Sequence, residues 1–296
     1  MENKIVIAGG TGFIGRYLQK KFMEKGYHVT IISRQSPHVS WESPNDIVQS
    51  LEGADMLINL AGKSVDCRYN EKNKADIFRS RTQTTELLGN ALLQCQNPPP
   101  LWINSSTATI YRHAEDRPMT EEGGEIGTGF SVEVAKEWEK AFFSHSLPDT
   151  RRAALRIAIV LGPDGGVMTP YKNLVKLGLG GVQGTGSQKF SWIHIEDLFR
   201  AILFLKDSKE LSGVFNCSSP DPVTNREFMA QLRNDMNRKV GLPTPKWMLE
   251  VGSLLIQTET ELVLKSRWVL PERLEKAGFV FQYDTLEKAL KQILAK

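Results

Sequence analysis

Cysteine is scarce in this chain. Cys67, Cys95 and Cys217 are the three in 296 residues, far apart and in no metal-ligand spacing. They read as reduced thiols of a cytoplasmic protein, and no metal site is expected. Charge of one sign is also lacking: the net charge of +3 is too small to argue for nucleic acid or an acidic membrane as partner. No apolar run is long enough to cross a bilayer. The greasiest stretch, 247–256, is broken by Glu250 and Gly252 and reads as a buried helix. No signal peptide is expected, because a strand already begins at Lys4. There is no internal repeat and no low-complexity tract. What remains is an ordinary globular composition, 41% hydrophobic and 24% charged, long enough for one or two domains and a large core.

The most informative segment runs Lys4-Ile5-Val6-Ile7-Ala8 and then Gly9-Gly10-Thr11-Gly12-Phe13-Ile14-Gly15. It reads as a short buried strand, a glycine turn and the start of a helix. Glycines at 9, 12 and 15 suit a turn with unusual backbone angles and leave room for a pyrophosphate beside the main chain. The amides and dipole of the following helix then favour the anion. The GxxGxxG spacing, set directly behind an N-terminal strand, resembles the short-chain dehydrogenase/reductase superfamily. It marks Gly9, Gly12, Phe13, Ile14 and Gly15 as cofactor-binding residues.

Short Ile/Val/Leu-rich strands are predicted at 4–8, 28–33, 55–60, 101–105 and 153–161. Helices are predicted at 13–25, 70–94, 130–146 and 195–206. Strands that scarcely alternate in polarity fit a parallel sheet buried on both faces. With helices between them they predict a doubly wound α/β fold. Five glycines between Gly178 and Gly186 predict a mobile loop. From Val223 the chain turns helical, at 224–237, 246–258 and 285–294, and Thr224 with Glu227 resembles a capping box. The expected division is a Rossmann-like cofactor domain at 1–222, with a substrate-side loop near 163–192. A smaller, mostly helical substrate-side part follows at 223–296.

Strand two ends in Ser33-Arg34, where an NAD-binding chain would place an acid for the ribose 2′-hydroxyl. A guanidinium suits a 2′-phosphate, so the expected cofactor is NADP(H). Leu60-Ala61-Gly62 closes strand three with small residues, matching the Asn-x-Ala-Gly segment of short-chain dehydrogenases. Trp102 to Tyr111 resembles the Ser-Ser-x-Ala-x-x-Tyr segment of the extended members, which include nucleotide-sugar epimerases. That resemblance gives Thr107 the substrate-oxygen role. The same families carry Tyr-x-x-x-Lys on the next helix, where lysine lowers the tyrosine pKa and tyrosine moves the proton. Here Lys136 is present, but the residue four before it is Val132.

Further segments are Ser80-Arg81, Trp138-Glu139, Leu155 to Gly162, Gly180-Gly181 and Phe190 to Asp197. The tail adds Pro222 to Phe228, Val269 to Leu274 and Ala277 to Phe279. Together they resemble, over essentially the whole chain, the atypical short-chain dehydrogenases called epimerase family proteins, which end in a domain of unknown function. The resemblance implies a Rossmann-like extended short-chain dehydrogenase fold and an oxidoreductase or epimerase of nucleotide-sugar type acting on a small polar substrate. Lys136 would serve Thr107; Gln188 and Tyr111 are substrate-side candidates. His194 is expected to pin a loop to a helix start, and Phe190 and Trp192 to lie in the core. The competing expectation is a silent NADP(H)-binding sensor. Monomer and homodimer both remain open.

Overall fold

The computed structural model describes residues 3–244 and 265–295. The predicted helix at 246–258 lies outside them. Six parallel strands form the central sheet: β1 (Lys4–Ala8), β2 (His28–Ile32), β3 (Met56–Asn59), β4 (Leu101–Thr107), β5 (Arg151–Ile157) and β9 (Gly213–Cys217). Their order is β2-β1-β3-β4-β5-β9. The chain leaves β1 for one neighbour and returns to pair on its other side, so the strand order reverses beside β1. Ligands of open α/β sheets bind outside the carboxyl ends of the strands at such a point.

Both faces of the sheet are covered. Ile5, Ile7, Met56 and Ile58 point into one core with Leu18 and Phe22 of α1 (Phe13–Glu24) and Leu198 and Ile202 of α6 (Ile195–Asp207). Val6, Ala8, Leu57 and Trp102 point the other way. They meet Ile47 of α2 (Pro44–Leu51), Leu88 of α3 (Glu71–Leu92) and Phe142 of α4 (Phe130–Phe143). Successive residues of a strand face opposite sides. A strand buried on both sides therefore has no polar position to give, which is the absence of alternation seen in the sequence.

The predicted strand 153–161 is two strands. β5 stays in the main sheet, while β6 (Ile159–Leu161) pairs with β8 (Trp192–His194). The switch falls at Ala158, whose amide donates to Cys217; the next amide, of Ile159, donates to Ser191 instead. A third core joins α5 (Met168–Lys176) and β7 (Lys189–Phe190) to the tail helices α7 (Asn225–Asp235) and α9 (Leu286–Leu294). Phe190 and Trp192 are buried in it. β10 (Val223–Thr224) pairs antiparallel with β7. The capping box is present: Thr224 caps α7 and Glu227 reaches back to its amide. Leu274 of α8 (Glu272–Lys276), with Phe279 and Phe281, joins the first core.

The glycine-rich stretch from Gly178 is pinned where the sequence predicts mobility. Gly181 and Gly184 donate to the carbonyls of Leu242 and Thr244 at 3.1 and 3.0 Å. The amides of Leu242 and Thr244 return bonds to Gly178 and Val182 at 2.8 Å each.

Candidate functional site

The crevice beside β1 is built from backbone. Gly9 has φ +75, and a Cβ there would stand 2.7 Å from the Ala61 main chain. The turn after β1 and the corner after β3 thus touch directly. A Cβ on Gly15 would meet the Gly10 carbonyl oxygen at 2.4 Å, so α1 sits against the turn without a gap. Gly12 differs: a Cβ there meets nothing within 4 Å. It is the residue before α1, offers no side-chain cap, and no acid occupies the first turn. The first amides of a helix have no partner inside it. Here no side chain caps them, the space beside Gly12 is open and the positive end of the dipole lies behind them, which fits a pyrophosphate.

Phe13 faces elsewhere. Its ring stands 2.9 Å from where a Cβ would lie on Gly162, Gly165 and Gly166, so it anchors the loop after β6. Its amide, not its ring, is the part available to a cofactor. Ile14 and Leu60 are half-buried against the first core. Ser33 is buried, and its hydroxyl accepts from the Gln35 amide at 3.1 Å. Arg34 is exposed. Ala61 is buried and Gly62 exposed at the rim. Asn59 explains the Asn-x-Ala-Gly segment: its Oδ1 accepts from the Ala61 amide at 3.0 Å. Its Nδ2 donates to Asn104 at 2.6 Å and Thr85 at 3.0 Å. The buried amides lock the ends of β3 and β4 together.

Thr107 ends β4, half-buried, and its Oγ1 accepts from the Thr109 amide at 3.1 Å. The hydroxyl proton remains to be donated. Among the described residues Lys136 makes no hydrogen bond to it. The face of α4 turned toward the end of β4 carries Val132 and Ala135, fully buried among Ala108, Ile110 and Tyr111. Lys136 lies about 40° round the helix from Val132, yet it is exposed and its ammonium pairs with Glu133 at 3.2 Å. Position 132 is sealed, with no space for a phenol.

The two substrate-side candidates are interior. Tyr111 is 1% exposed. Its hydroxyl donates to Asn216 at 2.9 Å and accepts from Arg156 at 2.8 Å, and burial holds the phenol above its usual pKa. Arg156 in turn forks onto Glu139 at 2.9 and 2.8 Å, and Ser106 donates to the same carboxylate at 2.7 Å. Gln188 is buried and donates to the Gln183 carbonyl at 2.9 Å, bracing its own loop. His194 caps α6, accepting from Glu196, and its other ring nitrogen meets Gln292 at 2.9 Å. Burial lowers its pKa. This is the pinning role expected of it.

One residue in the site had no assigned role in the sequence: Arg81, on α3 against Gly62. Its signal was there to read. Ile77, Thr85 and Leu88 share its helical stripe and are all buried. A cation in that register is out of pattern.

A glycine turn between a parallel strand and an uncapped helix, at the reversal of strand order, defines a dinucleotide-binding α/β protein. The chain belongs to the NAD dependent epimerase/dehydratase family, whose model matches residues 5–218. A model described as a domain of unknown function, DUF1731, matches residues 244–293. The chain is 32% identical over 303 residues to the epimerase family protein YfhF of Bacillus subtilis, covering 98% of both. It is 30% identical over 305 residues to the human epimerase family protein SDR39U1, covering 99% of this chain and 100% of that one. A crystal structure of human SDR39U1 with NADPH superposes with a TM-score of 0.88 at 28% identity, over 98% of each chain.

Proposed function

We propose that the chain is an NADP(H)-dependent oxidoreductase or epimerase-like enzyme of a small polar substrate. The observation that carries this is the open space at Gly12 before the uncapped α1, between Gly9 and Gly15, where any side chain would meet main chain. NADPH in the human relative's crystal structure supports the choice of cofactor. The α1 amides would hold the pyrophosphate, Arg34 and Ser33 the 2′-phosphate, and the Ala61-Gly62 corner the nicotinamide ribose. When bound, the cofactor supplies or accepts a hydride. Thr107 orients the substrate oxygen by donating its hydroxyl proton, while the Thr109 amide holds the acceptor side of that hydroxyl. Three free thiols and a small net charge suit the cytoplasm.

A second reading is a silent NADP(H)-binding sensor. It is favoured by the sealed Val132 and by Lys136, which is spent on Glu133. Tryptophan-to-nicotinamide energy transfer tests what both readings share: NADPH should bind more tightly than NADH. Oxidation of NADPH with a panel of sugars, quinones and aldehydes then separates them. Turnover of any of these supports the enzyme, and none supports the sensor.

A further inference from the structure

The exposed apolar side chains of this protein are not evenly scattered. Nine large ones stand exposed among the described residues, and four of them share one place: Leu177 (74%), Leu179 (38%), Val240 (67%) and Leu242 (58%). A single exposed leucine is ordinary, whereas a cluster marks a contact surface.

The place is made by two stretches joined beyond the end of α5. The Leu242 amide donates to Gly178 at 2.8 Å, and the Gly181 amide donates to Leu242 at 3.1 Å. Glycines let the two lie flush. A Cβ on Gly241 would stand 2.6 Å from Arg233 Cδ and 2.9 Å from the Gly180 carbonyl, and one on Gly180 would stand 2.5 Å from Val175 Cγ2. These positions face the protein, and their neighbours Leu179, Val240 and Leu242 stand in water. Arg233 of α7 donates to the Gly180 carbonyl and fixes the junction. Backbone bonds thus hold the apolar row out.

Charge beside the row has one sign. Lys176 precedes Leu177, and Arg238 and Lys239 precede Val240; all three are exposed. None of their side chains pairs with an acid among the described residues. The sequence holds no acid between Asp164 and Glu196, and none between Asp235 and Glu250. Asp235 itself is half-buried and accepts from Gln231 at 2.9 Å. The whole-chain charge of +3 conceals this segregation.

We propose that this face docks the protein onto a membrane surface that carries anionic lipid. Apolar side chains would enter the acyl boundary while the cations meet the headgroups. A second copy fits less well, because a two-fold contact sets the same patch on itself and brings like charges together. A nucleic acid would answer the cations and leave the apolar row against phosphate. No helix among the described residues is long and apolar enough to cross a membrane, so the contact is peripheral. The proposal goes beyond the dinucleotide reading and stands without it.

The test is sedimentation of the full chain with phosphatidylcholine vesicles, with and without phosphatidylglycerol. The protein should sediment with the anionic vesicles and not with the neutral ones, and added salt should release it. Leu177→Ser with Leu242→Ser should weaken binding by about tenfold or more. Each basic residue near such a surface contributes about fivefold, so Lys176→Glu, Arg238→Glu and Lys239→Glu together should weaken it by about 100-fold or more. Lys20→Glu, Lys25→Glu and Lys140→Glu change the net charge equally on other faces and should stay within about threefold of wild type. Unchanged Tm shows that each variant is folded. Three results overturn the proposal: the anionic vesicles retain no protein, the patch variants bind like wild type, or the control variant loses as much as the patch variant. A dimer that the two leucine substitutions dissolve, with vesicles left unbound, would give the face to a second copy instead.

Discussion

Two helices open over the same edge of the sheet, and they meet it in opposite ways. α1 starts at an exposed glycine with empty space above it, no cap and no acid in its first turn. α4 carries Glu133 in its first turn and closes its sheetward face with Val132 and Ala135. The first is a place for an anion. The second is a wall where related enzymes place a proton carrier. Binding a dinucleotide asks for backbone amides and vacancy, which glycines supply without any reactive side chain. Proton transfer asks for a titratable group within reach, and the positions where α4 would offer one hold Val132 and a Lys136 paired with Glu133, while Glu139 is held by Arg156 and Ser106. The two requirements are separable, so an anion site can be kept where the usual proton carrier is not.

The largest expected effect comes from filling the complete end. Gly9→Ala forces a side chain into φ +75 and onto the Ala61 main chain, 2.7 Å away. Backbone strain of this kind costs about 1–3 kcal/mol, and the crevice must also open. NADPH affinity should fall by about 100-fold or more, with a lower Tm. Unchanged binding would show that the turn and strand three can part freely. Arg34→Ala is next. Loss of a charged hydrogen bond is worth roughly 1.5–3 kcal/mol, so NADPH should bind about 10- to 100-fold more weakly while NADH is unaffected. Retained preference for NADPH would remove Arg34 from the site.

The contrast between the two helices also explains what the sequence could reveal. Glycines 9 and 15 were legible because a positive φ or a close backbone approach admits one residue type, and Gly12 was legible by its spacing between them. Strands β1 and β3 were legible because burial on both faces leaves a run of apolar residues. The break at Ala158 was hidden, since 153–161 holds no breaker and the switch is set by Cys217 and Ser191, distant in sequence. The stretch from Gly178 to Gly186 looked loose because its partners, Leu242 and Thr244, lie about sixty residues further on. Spacing placed Lys136 on the same side of α4 as Val132 but could not show that the ammonium would turn to Glu133 in solvent. Arg81 was visible as part of a resemblance, yet its place against Gly62 depended on how the chain turns after β3.

At the reduced end, Thr107→Val keeps the shape and removes the hydroxyl. The Thr109 amide loses its acceptor, a cost of about 1 kcal/mol in stability. NADPH should bind as before, because the role proposed for Thr107 is toward the substrate and not the crevice. Any carbonyl substrate found by screening should lose turnover by about tenfold or more, and Thr107→Ser should recover most of it. Equal turnover in Thr107→Val would leave the end of β4 without a chemical role.

Lys136→Ala has the smallest expected effect and bears most directly on how far the wall extends. The side chain is 47% exposed and its partner Glu133 56%, three residues apart on one helix. Exposed pairs of this spacing contribute about 0.2–0.5 kcal/mol. Alanine has the higher helix propensity, which offsets part of that loss. Tm, NADPH affinity and turnover should therefore all stay near wild type. A large fall in turnover alone, with Tm and NADPH affinity intact, would mean that the ammonium leaves Glu133 and swings to Thr107 when substrate arrives. The wall on α4 would then have a gap, and the family's lysine would still act without its tyrosine. Salt distinguishes a marginal case. Screening weakens the Glu133 pair, so a lysine recruited from it should act faster as ionic strength rises, whereas an idle one should not respond.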